Sequence, residues 1–249
     1  MDSTSATGRI DLDGIAPFAN GQVLKVTLPC TIVAGPNGSG KTNLAAAFMS
    51  AYCPDGLVPP ELHWLIKLDG ECSDLPCGGM PWMPLAKSLA RFASTRERLL
   101  EVSLAVQSEL QKLLSEKIAA GRSKFAGKID SSSQIRVLLT EHGTSLISSD
   151  MGEDLSMLFQ AQGERLVLYL ALNVAIRRLL NLSCPFVNDS ALEMLDLDLL
   201  SPCFACSSRL GEPVLLLIGT STLSRMPIRP SYWLSVDPAT KETKLVPGG

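Results

Sequence analysis

Residues Gly35 to Thr42 are the part of this chain whose types and spacing best suit a chemical task. They spell Gly-Pro-Asn-Gly-Ser-Gly-Lys-Thr and follow the apolar run Thr31–Ala34. This is the pattern Gly-x4-Gly-Lys-[Ser/Thr] where a predicted strand meets a predicted helix. The glycines let backbone N–H groups point at phosphate oxygens, the lysine adds a positive charge, and the threonine hydroxyl can ligate Mg²⁺. The segment therefore predicts a phosphate-binding loop for a nucleoside triphosphate with Mg²⁺.

The predicted nucleotide site includes every residue of this loop and the residue after it. Asn43 opens the Ala- and Leu-rich stretch that follows, whose helix dipole would face the same anion. The predicted contacts are Gly35, Pro36, Asn37, Gly38, Ser39, Gly40, Lys41, Thr42 and Asn43.

Composition limits the setting in which such a loop would work. The chain has 249 residues, 46% of them hydrophobic, and a formal net charge of −3. No apolar stretch is as long as a membrane span, and residues 1–5 lack the basic and apolar regions of a signal peptide. Seven irregularly spaced cysteines suit reduced thiols. We therefore expect a cytoplasmic protein with no membrane span.

The elements that would position the loop alternate between strands and helices. This order predicts an α/β fold with a parallel-rich sheet and antiparallel strands at the start and end. The predicted helices cover 43–49, 85–120, 163–182 and 196–209. The predicted strands are two around 10–12 and 23–26, then 31–34, 62–68, a hairpin of 135–139 with 145–147, 185–189, 214–218 and 232–236, the last followed by a polar tail.

A second motif lies at residues 160–165, Gln-Ala-Gln-Gly-Glu-Arg, before a Leu- and Ala-rich stretch. Together with the loop, it resembles the ABC-type ATPase heads of the SMC, double-strand-break-repair and RecF-like families, which carry Leu-Ser-x-Gly-Glu-[Arg/Lys] there. The segment 185–196 is similar to their Walker B and D-loop motif, including the seven-residue step from Asp189 to Asp196. Residues 214–221 resemble their strand leading to a switch histidine.

The resemblance implies a site shared between two heads. Lys41 and Thr42 would hold phosphate and Mg²⁺ in one head, with Asp189 as the Walker B carboxylate near the metal. Gly163 and Glu164 would meet the nucleotide of a partner head, and Asp196 would lie across the dimer. The implied partner is a second copy or a related head. Without the other motifs, Gly163-Glu164 would be an ordinary helix start.

Four positions depart from the family pattern. Ala161 replaces the signature serine, and Asn188 replaces an apolar strand residue. Ser190 stands at the usual position of the water-activating glutamate, and Thr220 or Ser221 at that of the switch histidine. A serine hydroxyl is a poor general base, so we expect weak hydrolysis. Glu193 is the nearest other carboxylate, but its D-loop position predicts that it points elsewhere.

A short helical arm, residues 85–130, is predicted to be inserted between an N-terminal lobe, 1–84, and a C-terminal lobe, 131–249, of one ATPase domain. Residues 85–128 carry nine basic and four acidic side chains. This excess could follow a nucleic-acid backbone such as DNA. An ordinary solvated helix surface and a protein-binding face are alternatives.

The sequence leaves several functions open. The leading hypothesis is an ATP-gated clamp or regulatory subunit in DNA repair or recombination. An active repair ATPase with an unusual water-activating group is an alternative, and a small-molecule kinase is a remote one. The cysteines suggest a separate hypothesis. Cys203 and Cys206, with Cys72 and Cys77, could form a zinc site, or they could be buried thiols. His63 and His142 have no neighbour in sequence that suggests catalysis.

Overall fold

The structure is a computed structural model. It describes residues 6–53, 65–69, 100–101, 103–105, 107–109, 111–112, 135–140, 143–148, 166, 170, 173–174, 177–178 and 181–248. The chain divides into two compact units, one drawn from residues 1–70, 183–193 and 204–249, and the other from 71–182 and 194–203. Both ends of the predicted arm, at 84/85 and 130/131, lie outside the described residues, so the predicted lobe boundaries stay predictions.

The described strands and helices follow the predicted order closely. The strands are β1 (Ala6–Asp11), β2 (Val23–Thr27), β3 (Cys30–Gly35), β4 (Lys67–Asp69), β5 (Ile135–Thr140), β6 (Gly143–Ser148), β7 (Phe186–Asp189), β8 (Val214–Gly219), β9 (Tyr232–Val236) and β10 (Thr243–Pro247). The helices with complete bounds are α1 (Lys41–Tyr52), α2 (Leu197–Ser207) and α3 (Thr220–Leu223), with a 3-10 turn at Ala191–Met194. The described positions between 100 and 112 and between 166 and 178 are also helical.

A six-stranded sheet in the first unit has the order β10-β9-β3-β8-β7-β4. Neighbouring strands are parallel, except that β10 runs antiparallel to β9. All six residues of β8 are buried, as expected for an apolar strand covered on both faces. The predicted parallel-rich α/β fold with antiparallel additions is therefore confirmed.

Two further antiparallel pairs complete the described strands. β1 pairs with β2 in the first unit, and β5 pairs with β6 in the second, as a hairpin that closes at Thr140 and Gly143. Both pairs were predicted.

Two strand predictions need correction. The predicted polar tail contains β10, whose residues pair along the whole of β9, from Thr243 opposite Val236 to Pro247 opposite Tyr232. The strand predicted at 62–68 begins only at Lys67. Leu65 and Ile66 precede it as buried residues, and the carbonyl of Ile66 accepts a hydrogen bond from the N–H of Val187 in β7 at 2.8 Å, so backbone pairing with β7 begins just before the strand.

The core of the first unit holds the start of α1 against the strands. Leu44, Ala45 and Phe48 are buried on one face of α1, in a cluster with Val33 of β3 and Leu217 of β8. This one-sided pattern is that of a helix lying on a sheet. It fixes α1 directly after β3, which places the connecting loop at the carboxyl edge of the sheet.

Candidate functional site

The loop between β3 and α1 has the backbone of an anion-binding turn. Gly38 and Gly40 adopt positive φ angles of 75° and 90°, a region that disfavours side chains. Gly40 is also the N-cap of α1 and provides no side-chain cap. The first N–H groups of a helix lack partners within the helix, so the loop and helix together offer donors to an anion.

Lys41 is folded back under this loop. Its side chain is only 8% exposed, and its ammonium Nζ donates to the carbonyl oxygens of Gly35 at 3.0 Å and Pro36 at 3.2 Å. A buried cation held by neutral carbonyls remains available to a stronger anionic partner. The Lys41 ammonium therefore lies on the backbone of its own loop.

Ser39 gives an independent test of whether the loop suits phosphate. Its hydroxyl Oγ is buried and makes no hydrogen bond with any described residue. A methyl group on Gly35 would lie 2.6 Å from that hydroxyl, so glycine leaves the space it occupies. Buried polar atoms are normally paired, and an unsatisfied hydroxyl in this loop fits an anionic ligand. The side chain of Thr42, the predicted Mg²⁺ ligand, is exposed in the first turn of α1.

The segment 15–18 packs against the loop, a contact that the sequence did not predict. A methyl group on Gly40 would lie 2.6 Å from Cδ of Pro17. The Asn43 side chain donates its Nδ2 to the carbonyl of Ala16, and the N–H of Thr243 in β10 donates to the carbonyl of Pro17 at 2.8 Å. Asn43, predicted to contact the nucleotide, thus binds the chain that supports the loop.

Asp189 and Asn188 end strand β7 beside β8. Asp189 is 4% exposed and lies in register with Leu217. The Asn188 side-chain oxygen accepts a hydrogen bond from the N–H of Ala191 at 3.1 Å. Asn188, the residue that departs from the usual apolar type, therefore closes the turn that follows the strand.

Ser190 lies in that turn with a left-handed backbone, φ 62°. Such a conformation is uncommon for a residue other than glycine and is typical of strained functional segments. Its N–H donates to the carbonyl of Leu217 at 3.1 Å, and its carbonyl accepts from the N–H of Glu193 at 3.0 Å. The backbone of Ser190 thus reverses the chain and brings Glu193 back toward the sheet.

The expectation that Glu193 points elsewhere is wrong. Its carboxylate Oε1 lies 3.8 Å from Nζ of Lys41, and its side chain is 25% exposed. Oε1 itself is buried and makes no hydrogen bond with a described residue. The 3-10 turn, invisible in the sequence pattern, moves this carboxylate to the loop lysine.

The remaining predicted site residues lie in three separate segments of the chain. Ser221 and Thr220 are exposed at the start of α3. Asp196 is exposed in the second unit, where its carbonyl accepts from the N–H groups of Leu199 and Leu200 at the start of α2. Gly163 and Glu164 lie outside the described residues.

The described residues include only part of the predicted zinc site and part of the basic arm. Cys203 is buried on α2, while Cys72 and Cys77 lie outside the described residues. Among the residues that are described, no three His, Cys, Asp or Glu side chains are grouped as metal ligands. Most of the basic arm is likewise outside them. No helix in the described part of the chain is long and apolar enough to span a membrane.

Solved structures provide the comparison that identifies the fold. An SMC head bound to the C-winged helix domain of ScpA superposes with a TM-score of 0.61 at 12% identity, covering 96% of this chain and 95% of that one. The chain has the fold of an SMC head domain. A second SMC head, with an extended coiled coil and bound to the C-terminal domain of ScpA derived from Pyrococcus furiosus, gives a TM-score of 0.50 at 12% identity, with 96% and 94% covered.

The SMC-head fold agrees with the resemblance found in the motifs. At 12% sequence identity, these structures support the fold alone. No protein-family model matches the chain, and no curated protein matches it in sequence. The predicted relationship to RecF-like proteins and the predicted role in repair therefore stay predictions.

Proposed function

We propose that the protein binds ATP through its β3–α1 loop and acts as an ATP-gated head. The observation that carries this proposal is the state of the loop itself. Two glycines are left-handed, the Ser39 hydroxyl has no hydrogen-bond partner among the described residues, and the Lys41 ammonium is buried on two loop carbonyls. These are the groups that a polyphosphate needs.

A bound Mg²⁺ would neutralise phosphate charge, and Thr42 and Asp189 are the residues assigned to hold it. Thr42 offers an exposed hydroxyl next to Lys41, and Asp189 offers a buried carboxylate at the end of β7. Hard oxygen ligands of this kind suit Mg²⁺.

Gating would come from a second head, either another copy of this chain or a related one. The proposal rests on the family resemblance of Gly163, Glu164 and Asp196, which assigns these residues to the contact between heads, and on the SMC-head fold. The described SMC heads were solved with ScpA domains, so a protein partner is a second class of ligand for this chain. A role in DNA repair or recombination, with DNA on the basic arm, belongs to the same proposal.

Hydrolysis is expected to be weak. Ser190 occupies the position of the water-activating glutamate and cannot accept a proton readily at neutral pH. Losing a general base typically lowers a rate about 10²- to 10⁴-fold. ATP would then hold two heads together for longer than in an active relative.

The first experiment is calorimetric titration of MgATP into wild-type protein, Lys41→Ala and Lys25→Ala. Lys25 is an exposed lysine of β2, so its replacement is a matched loss of charge away from the loop. A charge-assisted hydrogen bond contributes about 1.5–3 kcal/mol, so Lys41→Ala should raise the Kd of ATP about 10- to 150-fold. Equal affinity in wild type and Lys41→Ala would contradict nucleotide binding at this loop.

Gating is tested on the same proteins by sedimentation velocity with and without MgATP. We expect a nucleotide-dependent increase in mass for wild type and Lys25→Ala, and none for Lys41→Ala. A chain that binds ATP but stays monomeric alone is then tested with candidate partner heads. A mass that stays unchanged with every candidate would refute the gated head while leaving ATP binding intact.

An active ATPase is the second candidate function, and the position of Glu193 favours it. A carboxylate 3.8 Å from the loop lysine could accept the proton of an attacking water, the task that Ser190 cannot perform. Robust steady-state turnover that Lys41→Ala abolishes would favour this candidate over the weakly hydrolysing head.

A further inference from the structure

Lys41 has one charged partner among the described residues, and that partner competes for the same ammonium that a phosphate would use. Glu193 Oε1 lies 3.8 Å from Nζ, whereas the two loop carbonyls lie at 3.0 and 3.2 Å. The carbonyls are part of the loop and stay with it. The carboxylate comes from another segment, so it can leave.

The turn after β7 positions Glu193 next to the Lys41 ammonium. Ser190 turns left-handed after β7, the Asn188 side chain caps the N–H of Ala191, and the N–H of Glu193 closes the turn on the carbonyl of Ser190. One backbone conformation and two hydrogen bonds thus hold the base of the Glu193 side chain above the carboxyl edge of the sheet. The Glu193 carboxylate can therefore leave Lys41 by rotation about its side-chain bonds, without a change in the backbone.

Space for the carboxylate is provided by Gly219 at the end of β8. Gly219 is the register partner of Gly35, the first residue of the phosphate-binding loop. A methyl group on Gly219 would lie 2.6 Å from Oε1 and 3.1 Å from Oε2 of Glu193. The carboxylate therefore lies over the ends of both strands that carry the loop, in a place that exists because residue 219 has no side chain.

We propose that Glu193 is the internal counter-ion of Lys41, and that a nucleotide phosphate binds by displacing it. This inference rests on the proposed nucleotide-binding function and adds a residue that tunes its affinity. Phosphate and carboxylate are both negative, so they cannot share the ammonium without mutual repulsion. The side chain is 25% exposed, which gives it a path to solvent when phosphate arrives.

As a consequence, wild-type protein should bind MgATP more weakly than the same loop would without the Glu193 charge. Removing the charge of Glu193 frees Lys41 and removes a negative charge next to the incoming phosphate. Glutamine keeps the length of the side chain and is neutral, so Glu193→Gln isolates the charge. We expect Glu193→Gln to bind MgATP about 5- to 50-fold more tightly than wild type, a range that corresponds to weakening one partly exposed charge contact.

The test is calorimetric titration of MgATP into wild type, Glu193→Gln, Gly219→Ala and Glu212→Gln. Glu212 is an exposed glutamate before β8, at the opposite end of that strand, and serves as the charge control. Gly219→Ala keeps Glu193 but pushes its carboxylate away. The backbone at Gly219, with φ −69° and ψ 150°, accepts alanine without strain. Tighter binding by both Glu193→Gln and Gly219→Ala, with Glu212→Gln unchanged, supports the proposal. Thermal unfolding of each variant checks that it is folded.

The outcomes separate this inference from the proposed function. If wild type binds MgATP in a Lys41-dependent way and folded Glu193→Gln binds equally or more weakly, the counter-ion role is refuted and ATP binding stands. If wild type binds poorly and Glu193→Gln binds well, the counter-ion role is supported. If neither binds, both the proposed function and the inference fall.

Discussion

Replacing Gly40 by alanine tests the support of the β3–α1 loop more directly than any change to a charged residue. Gly40 has φ 90° and ψ 17°, and an added methyl group would lie 2.6 Å from Cδ and 3.0 Å from Cγ of Pro17. A proline ring cannot rotate away as a long side chain can. The substitution therefore strains the backbone and forces two packed segments apart.

The structure provides two matched positions that separate these effects. Gly38, in the same loop, has φ 75°, and Gly21, between β1 and β2, has φ 79°. A methyl group at either position would meet nothing within 4 Å. Alanine in the left-handed region costs about 1–2 kcal/mol, and this is the whole cost expected at both positions. Overpacking adds about 1–3 kcal/mol, so Gly40→Ala should lose about 2–5 kcal/mol.

The assay is urea unfolding of wild type and the three alanine variants, with the free energy of unfolding taken by linear extrapolation. MgATP titration of the same proteins completes the series. Gly38→Ala and Gly21→Ala should be destabilised alike, while only the two loop variants should lose affinity. If Gly40→Ala and Gly38→Ala are equally stable, the contact of segment 15–18 with the loop is refuted. If Gly21→Ala also weakens ATP binding, affinity follows general stability rather than the loop.

Two further predictions concern residues in the strands of the first unit. Asn188→Ala removes the acceptor for the N–H of Ala191, and leaving that N–H unpaired should cost about 1–3 kcal/mol in urea unfolding; a loss no larger than that of an exposed Asn20→Ala control would refute the capping role. Burial raises the pKa of Cys30 to about 12, so at pH 8 only about one thiol in 10⁴ is ionised, against roughly a quarter for an unperturbed thiol of pKa ~8.5. Iodoacetamide followed by peptide mass analysis should therefore label Cys30 about 10³-fold more slowly in folded than in urea-unfolded protein, and equal rates would contradict the raised pKa. The raised pKa of Cys30 also makes stability depend on pH. The contribution of the protonated thiol to the free energy of unfolding is complete below the pKa of the unfolded state and is lost as the pH rises toward 12.

The sequence predicted those features that depend on local pattern. The sharp turn between β3 and α1 follows from glycines at fixed spacing, and β8 follows from an unbroken apolar run. The antiparallel pair at the start and the hairpin at 135–148 follow from alternation around turn residues. These features need only neighbours in sequence to be recognised.

What it missed depends on contacts between distant segments. β10 is only five residues long and ends in a proline, and it is a strand because β9 offers it an edge. Asn43 binds the backbone of Ala16, a contact that no spacing rule contains. The orientation of Glu193 depends on a left-handed backbone at Ser190, which residue type does not announce because serine rarely adopts it. Position in a family motif therefore predicted the direction of Glu193 wrongly.

The position of β3 in the sheet also determines when the loop can form during synthesis. β3 lies between β8 and β9, and the N–H of Ile32 donates to the Ser231 hydroxyl at 3.1 Å, 199 residues later in the chain. A ribosome adds about 5–20 residues per second, so the loop sequence is made roughly 10–40 seconds before both of its neighbouring strands exist. During that interval β3 is an apolar strand with two open edges, which is the kind of segment that chaperones cover and that aggregates when they do not. We therefore expect expression yield to respond more to changes in β3 than to equally destabilising changes in β9, which is made when its partner β3 is already present.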